Sequence, residues 1–187
     1  MENFKNNNKI LFIPGWLDTG ERHGYQNSLD IWNKNIDISQ DFKADYVIAH
    51  SVGSLVALYN WKLYKRFKII LVNPVISRGS IFRRWYKFSR SEGIPNSFKK
   101  SIKILQIIPS LIKTIKLFKI PALDIINTIP KEDLIIIYGE NDIHLFDGEV
   151  IKKLKEKGFR AQEIKGAGHN YEENIEKAVL SVILPNI

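Results

Sequence analysis

The sequence predicts an α/β protein built on a mostly parallel sheet covered by helices on both faces. Short apolar runs bounded by turn residues alternate with segments of helical periodicity. Ser51, Asp142 and His169 follow three of those runs, in that order along the chain. Residues 76–128 break the alternation: they hold no good strand and are too long for a plain loop in a compact domain. They read as a helical cap inserted into one domain spanning 1–187.

Residues 9–13 form the first strand, apolar on both faces and stopped by Pro14-Gly15. Residues 25–33 carry a weak helical pattern anchored by Leu29, Ile31 and Trp32, and 35–38 suit a short edge strand. The second firm strand, 46–50, runs into an apolar helix at 52–64. A strand at 67–72 ends at Asn73-Pro74, and another spans 133–138. Residues 149–157 read as a helix ended by Gly158, 160–164 as the last strand, and 171–184 as an amphipathic helix with Ile175, Val179 and Val182 on one side. Within the cap, helical pieces are expected at 81–88, 97–108 and 110–118, separated by Gly93-Ile94-Pro95 and by Pro109.

The 187 residues suffice for a full hydrophobic core, and 44% hydrophobic with 26% charged is ordinary for a globular chain. With no cysteine, disulfides and thiolate metal sites are excluded. The polar start, Met1 to Lys9, carries no apolar signal core, and no apolar run approaches the roughly 20 residues of a membrane span. A cytoplasmic location is therefore expected.

The stretch Ala49-His50-Ser51-Val52-Gly53 joins a buried strand to a helix through a turn that tolerates only small neighbours. That is the setting of a nucleophile elbow, with alanine where the usual G-x-S-x-G pattern has its first glycine. The turn Gly139-Glu140-Asn141-Asp142 and the loop Gly166-Ala167-Gly168-His169 follow two later strands. Functional groups in open α/β sheets gather at this carboxyl edge. Alternatives remain for each residue. Ser51 also suits a plain tight turn, Asp142 a loop cap, with Glu140 or Asp147 then the acid, and His169 an exposed loop position. His50 suits a structural role, and His23 and His144 suit the surface or a pocket rim. Asp18 suits a substrate rim or a helix N-cap.

On Pro14-Gly15-Trp16, the A-H-S-V-G elbow, Gly139-x-x-Asp142 and Gly166-x-Gly-His169, the chain resembles an α/β-hydrolase over nearly its whole length. The resemblance implies Ser51 as nucleophile, His169 as base and Asp142 as the acid that orients it. It also implies an oxyanion hole from the backbone N–H groups of Trp16 and Val52. Trp16 and Leu17 are then candidates for lining the substrate pocket, although Trp16 suits a core position as well. The roles make chemical sense. A serine hydroxyl needs a base within hydrogen-bond reach, and imidazole titrates near neutrality. Only 36 positions separate Gly15 from Ser51, less than such enzymes usually use, so a trimmed sheet of five or six strands is expected.

The expected activity is hydrolysis of a small-molecule carboxylic ester or thioester through an acyl-enzyme, with no metal or organic cofactor. A non-catalytic binding protein on the same fold, and an acyltransferase or peptidase with the same residues, are the alternatives. Net charge is +8, and between Ser77 and Pro121 eleven Lys or Arg residues accompany one acid, Glu92. Such a cap either shows its lysines to water or approaches an anionic membrane surface or acidic substrate. Arg83-Arg84-Trp85-Tyr86 mixes charge with aromatics, but no nucleic-acid module is recognisable and none is expected to bind. Ile104, Ile108, Leu111, Ile115 and Phe118 are the expected inward stripe of the cap. The sequence leaves oligomeric state open.

Overall fold

In the computed structural model, residues 5, 7–16, 18–31, 37–76, 104–142 and 147–186 are described. Five strands form one sheet: β1 (Ile10–Ile13), β2 (Tyr46–His50), β3 (Lys68–Val72), β4 (Leu134–Gly139) and β5 (Arg160–Ile164). Their order in space is their order in the chain, and every neighbouring pair is parallel. The register sets Ile13 beside Ala49, His50 beside Val72, and Gly139 beside Ile164. The strands therefore end at one common edge.

Among the described residues the α-helices are α1 (Gly53–Tyr64), α2 (Ile104–Leu117), α3 (Ala122–Ile126), α4 (Gly148–Glu156) and α5 (Glu173–Ile183). A sheet that grows in one direction through right-handed crossovers carries its crossover helices on one face. The two cores follow that rule. Leu11, Val47, Ile69 and Ile136 pack with Leu55 of α1, Ile126 of α3 and Ile151 of α4. The residues between them in the strands, such as Phe12, Ile48, Ile70 and Ile137, pack with Ile175, Val179 and Ile183 of α5. Helix α1 lies between sheet and α3, which is why its sequence is apolar around most of its girth. Asp147 caps α4 through the Val150 N–H, and Gly158 takes a left-handed φ of 87° just beyond the helix.

Three expectations are corrected. Residues 25–31 are not helical. Ser28 forms a parallel bridge with Phe12 of β1, with Phe12 N–H donating to Asn27 O at 3.0 Å and Leu29 N–H donating to Phe12 O at 2.9 Å. The outer backbone groups of an edge strand need partners, and this segment supplies them. Residues 37–38, the described end of the expected edge strand, form a turn in which Asp37 accepts the Ser39 N–H at 2.8 Å. Helix α2 runs through Pro109, which removes one helical hydrogen bond without ending the helix.

Of the expected inward stripe, Phe118 packs against the core but Ile115 is 49% exposed, with Thr114 and Leu117 buried instead; the side chains of Ile104, Ile108 and Leu111 lie outside the described residues. The expected helix at 81–88 and the start of that at 97–108 lie outside the described residues. Among the described residues no helix is long and apolar enough to cross a membrane.

Candidate active site

Ser51 follows β2 with φ 53°, a left-handed conformation that costs a non-glycine residue roughly 1–2 kcal/mol. The surroundings hold it there. Its N–H donates to Val72 O at 2.9 Å, and its carbonyl accepts the Ser54 N–H at 3.1 Å as α1 begins. Gly53 has no room for a side chain, since a Cβ would stand 2.6 Å from Ile13 O and 2.7 Å from Pro14 O. Gly15 is close but less tight: a Cβ there would stand 3.1 Å from His50 Nδ1 and 3.2 Å from Ser51 Cβ. Ala49, in the place of the usual glycine, is fully buried, so its methyl is absorbed by the core.

His169 arrives on the loop after β5. Gly139 at the end of β4 lets that loop descend: a Cβ there would lie 2.4 Å from the carbonyl oxygens of Ala167 and Gly168. Asn141 N–H then donates to Ala167 O at 2.8 Å. The result places His169 Nε2 2.8 Å from Ser51 Oγ and His169 Nδ1 2.7 Å from Asp142 Oδ2. All three residues are buried, at 5% exposed for Ser51, 4% for His169 and 1% for Asp142. A carboxylate only accepts, so Nδ1–H donates to Asp142 and Nε2 is left to accept the Ser51 hydroxyl. The other two candidate acids are used elsewhere. Glu140 accepts the Gly166 N–H at 2.9 Å, and Asp147 caps α4.

Val52 is the N-cap of α1, and its N–H has no hydrogen-bond partner among the described residues. The helix dipole adds positive potential there. Trp16 is half-buried and packs against the core on the α1 face of the sheet. Leu17 and His144 lie outside the described residues. Asp18 is buried and fixes the loop that follows Gly15. It accepts from His23 Nε2 at 2.7 Å, from Arg22 at 3.2 Å and from Thr19 N–H at 3.0 Å. Burial would raise the Asp18 pKa, but the hydrogen bond and charge of His23 hold it below the usual carboxylate range. Asp18 thus caps none of the helices whose N-caps are described. His23 is half-buried against Phe12 and Tyr171 rather than at the surface.

Two contributors carry no local signal in the sequence. Asn73, read there as a strand stop, is fully buried with φ 44° and bonds to both the β4 end and the His169 loop. Tyr171 donates to or accepts from Tyr25 across a 2.9 Å hydroxyl pair, and burial pushes both phenols' pKa values up. Asparagine tolerates a positive φ better than most residues, but that preference names no partner.

No protein-family model and no curated protein matches the sequence. Solved structures do match. A carboxylesterase of the thaumarchaeon Nitrososphaera gargenis is 12% identical with a TM-score of 0.60, over 97% of this chain and 94% of that one. The thioesterase domain of the curacin biosynthetic pathway is 13% identical with a TM-score of 0.53, over 96% and 92%. MGS-MChE2, an α/β hydrolase from a lagoon-sediment metagenome, is 12% identical with a TM-score of 0.50, over 96% and 92%. Identities this low speak to architecture, and together with the five-stranded parallel sheet they establish that the chain has the α/β-hydrolase fold.

Proposed function

We propose that the chain is a serine hydrolase that cleaves carboxylic esters or thioesters through an acyl-enzyme on Ser51. The observation that carries the reading is the unbroken hydrogen-bonded line Ser51 Oγ–His169–Asp142, beside the N–H of Val52. In the first half-reaction Ser51 Oγ bonds to the substrate carbonyl carbon while its proton passes to His169 Nε2. Negative charge collects on the carbonyl oxygen, where the Val52 N–H, with the Trp16 N–H as second donor, would stabilise it. Collapse breaks the bond to the leaving oxygen or sulfur, which takes the proton from His169. Water then repeats the sequence, releases the acid and restores Ser51. Asp142 holds the imidazole in the tautomer both halves require.

The fold neighbours include a carboxylesterase and a thioesterase, which supports the substrate class without fixing it. The test is labelling with a fluorophosphonate probe, followed by ester and thioester panels of graded acyl length. Labelling at Ser51 that Ser51→Ala abolishes is expected. An unlabelled protein would favour the non-catalytic alternative, and product transfer to added alcohol or amine would favour an acyltransferase.

A second reading concerns where such substrates lie. On α2, Ile112 and Ile115 are 53% and 49% exposed, and Lys116 and Lys119 are exposed near them. We infer that this face approaches an anionic, acyl-bearing surface.

A further inference from the structure

The main-chain carbonyl of His169 is held by two buried side chains that the reaction itself does not use. His50 Nε2 lies 2.8 Å from His169 O, and Asn73 Nδ2 lies 2.7 Å from the same oxygen. A carbonyl oxygen only accepts, so both nitrogens donate and both of its lone pairs are engaged. That fixes His50 as the Nε2–H tautomer. Its Nδ1 faces Gly15 and has no hydrogen-bond partner among the described residues. The ring stays neutral in the folded protein because burial, and then the proximity of His169, push its pKa down to about 3.

Asn73 has two further attachments. Its Nδ2 also reaches Gly168 O at 3.0 Å, and its Oδ1 accepts the Gly139 N–H at 2.8 Å. It therefore ties the end of β3 to the end of β4 and to the loop above both. His50 ties the end of β2 to the same loop, and it is covalently next to Ser51. The His169 main chain is thus referenced to the strand that carries Ser51. Tyr171, two residues further on, is anchored by Tyr25, so the loop is pinned on both sides of the imidazole.

We infer that His50 and Asn73 are positioning residues: they clamp the His169 main chain so that its Nε2 stays within reach of Ser51 Oγ. The inference rests on the hydrolase reading above. Its energetic logic is that proton transfer tolerates little displacement, a shift of about 1 Å costing about a hundred-fold in rate.

Glutamine and asparagine separate the clamp from mere burial of a polar group. In His50→Gln an amide N–H can occupy the place of Nε2; in His50→Asn the amide reaches only as far as Nδ1. Both variants bury the same functional group. We expect His50→Gln to keep kcat within about fivefold of the unmodified enzyme and His50→Asn to lose about ten- to a hundred-fold, with KM little changed and fluorophosphonate labelling slowed in proportion. Asn73→Asp, which keeps the acceptor for Gly139 but loses both donated bonds, should behave like His50→Asn. Melting temperatures report how much of each variant is folded. If His50→Asn does not fold, the 15N spectrum of the unmodified protein decides: a His50 ring without a hydrogen-bonded Nε2–H would overturn the clamp. Equal kcat in the Gln and Asn variants, with Ser51 labelled in both, would also overturn it. Failure of the unmodified protein to label would sink the hydrolase reading instead, and the clamp's catalytic meaning with it.

Discussion

Asp142 Oδ2 lies 2.7 Å from His169 Nδ1, whereas Glu140, two positions earlier in the same turn, points its carboxylate away to the Gly166 N–H at 2.9 Å. One turn thus presents two acids and commits them to different work. Asp142→Asn replaces an acceptor with a group that can also donate, which favours the wrong imidazole tautomer. We expect kcat/KM for a short-chain ester to fall by about a thousand-fold or more, with little change in the melting curve. Glu140→Gln keeps an oxygen for Gly166 and should leave kcat/KM unaltered, with stability within about 0.5 kcal/mol. Comparable losses from both would mean that the turn acts as one structural unit and that Asp142 has no separate part in the chemistry.

Glycine substitutions should sort by what surrounds them. At Gly53 a methyl would meet the carbonyl oxygens of Ile13 and Pro14, and at Gly139 those of Ala167 and Gly168. Backbone cannot step aside as a side chain can, so Gly53→Ala and Gly139→Ala should each cost about 3 kcal/mol or more. Gly166 has φ 71° but open space around it, so Gly166→Ala should cost only about 1–2 kcal/mol. Thermal unfolding separates the cases, at about 2–4 °C per kcal/mol for a chain of this size. Equal shifts at all three positions would contradict the packing described at the elbow.

The acid limb of stability has an assignable source. His50 has an ordinary pKa of 6.5, and in the folded protein it falls to about 3. Between those values the unfolded chain holds a proton that the folded chain lacks. The stabilisation is complete above 6.5 and is lost as pH drops towards 3, by up to about 1.4 kcal/mol per pH unit. Asp18, whose pKa is lowered from 3.8, acts with the same sign in the range below 3.8. The groups that face His50 are His169, Asp18, His23 and the Tyr171 ring. In urea titrations, His50→Gln should therefore lose less stability between pH 7 and pH 4.5 than the unmodified protein. Parallel losses would show that His50 is not held neutral.

The strands were legible because a strand buried on both faces is a plain apolar run closed by Gly, Pro or Asn. Ile10–Ile13, closed by Pro14, and Lys68–Val72, closed by Asn73, read that way with no knowledge of their neighbours. Ser51, Asp142 and His169 were legible because strand ends in such a sheet converge at one edge. Residues 25–31 misled because Leu29 and Ile31 fit a weak helical pattern, while the deciding influence was the unpaired edge of β1. Ile115 was misplaced for a related reason: Ile115 and Leu117 are both apolar, and periodicity alone does not choose between them. The hold on His169 was legible only in part: a structural role suited His50, but not its partner. His50 and Asn73 reach it across 119 and 96 positions of chain, a distance at which no local pattern names the partner.

Ile112 and Ile115 stand one turn apart on α2, each about half in solvent, with Lys116 and Lys119 exposed beside them. Completing the burial of two such side chains is worth about 1 kcal/mol each, and each lysine near an anionic surface adds about 1 kcal/mol. The sum describes weak, reversible adsorption. Sedimentation with phosphatidylglycerol-containing vesicles should recover the protein at low salt, and binding should fade as the ionic strength rises and the Debye length shortens to about 3 Å at 1 M. Vesicles of phosphatidylcholine alone should retain much less, because only the apolar contribution remains. Ile112→Glu with Ile115→Glu should abolish binding to the anionic vesicles, since it removes that contribution and repels the surface at once. If the double variant binds as well as the unmodified protein, α2 is not the docking face, and if neutral and anionic vesicles are equivalent, charge has no part in it.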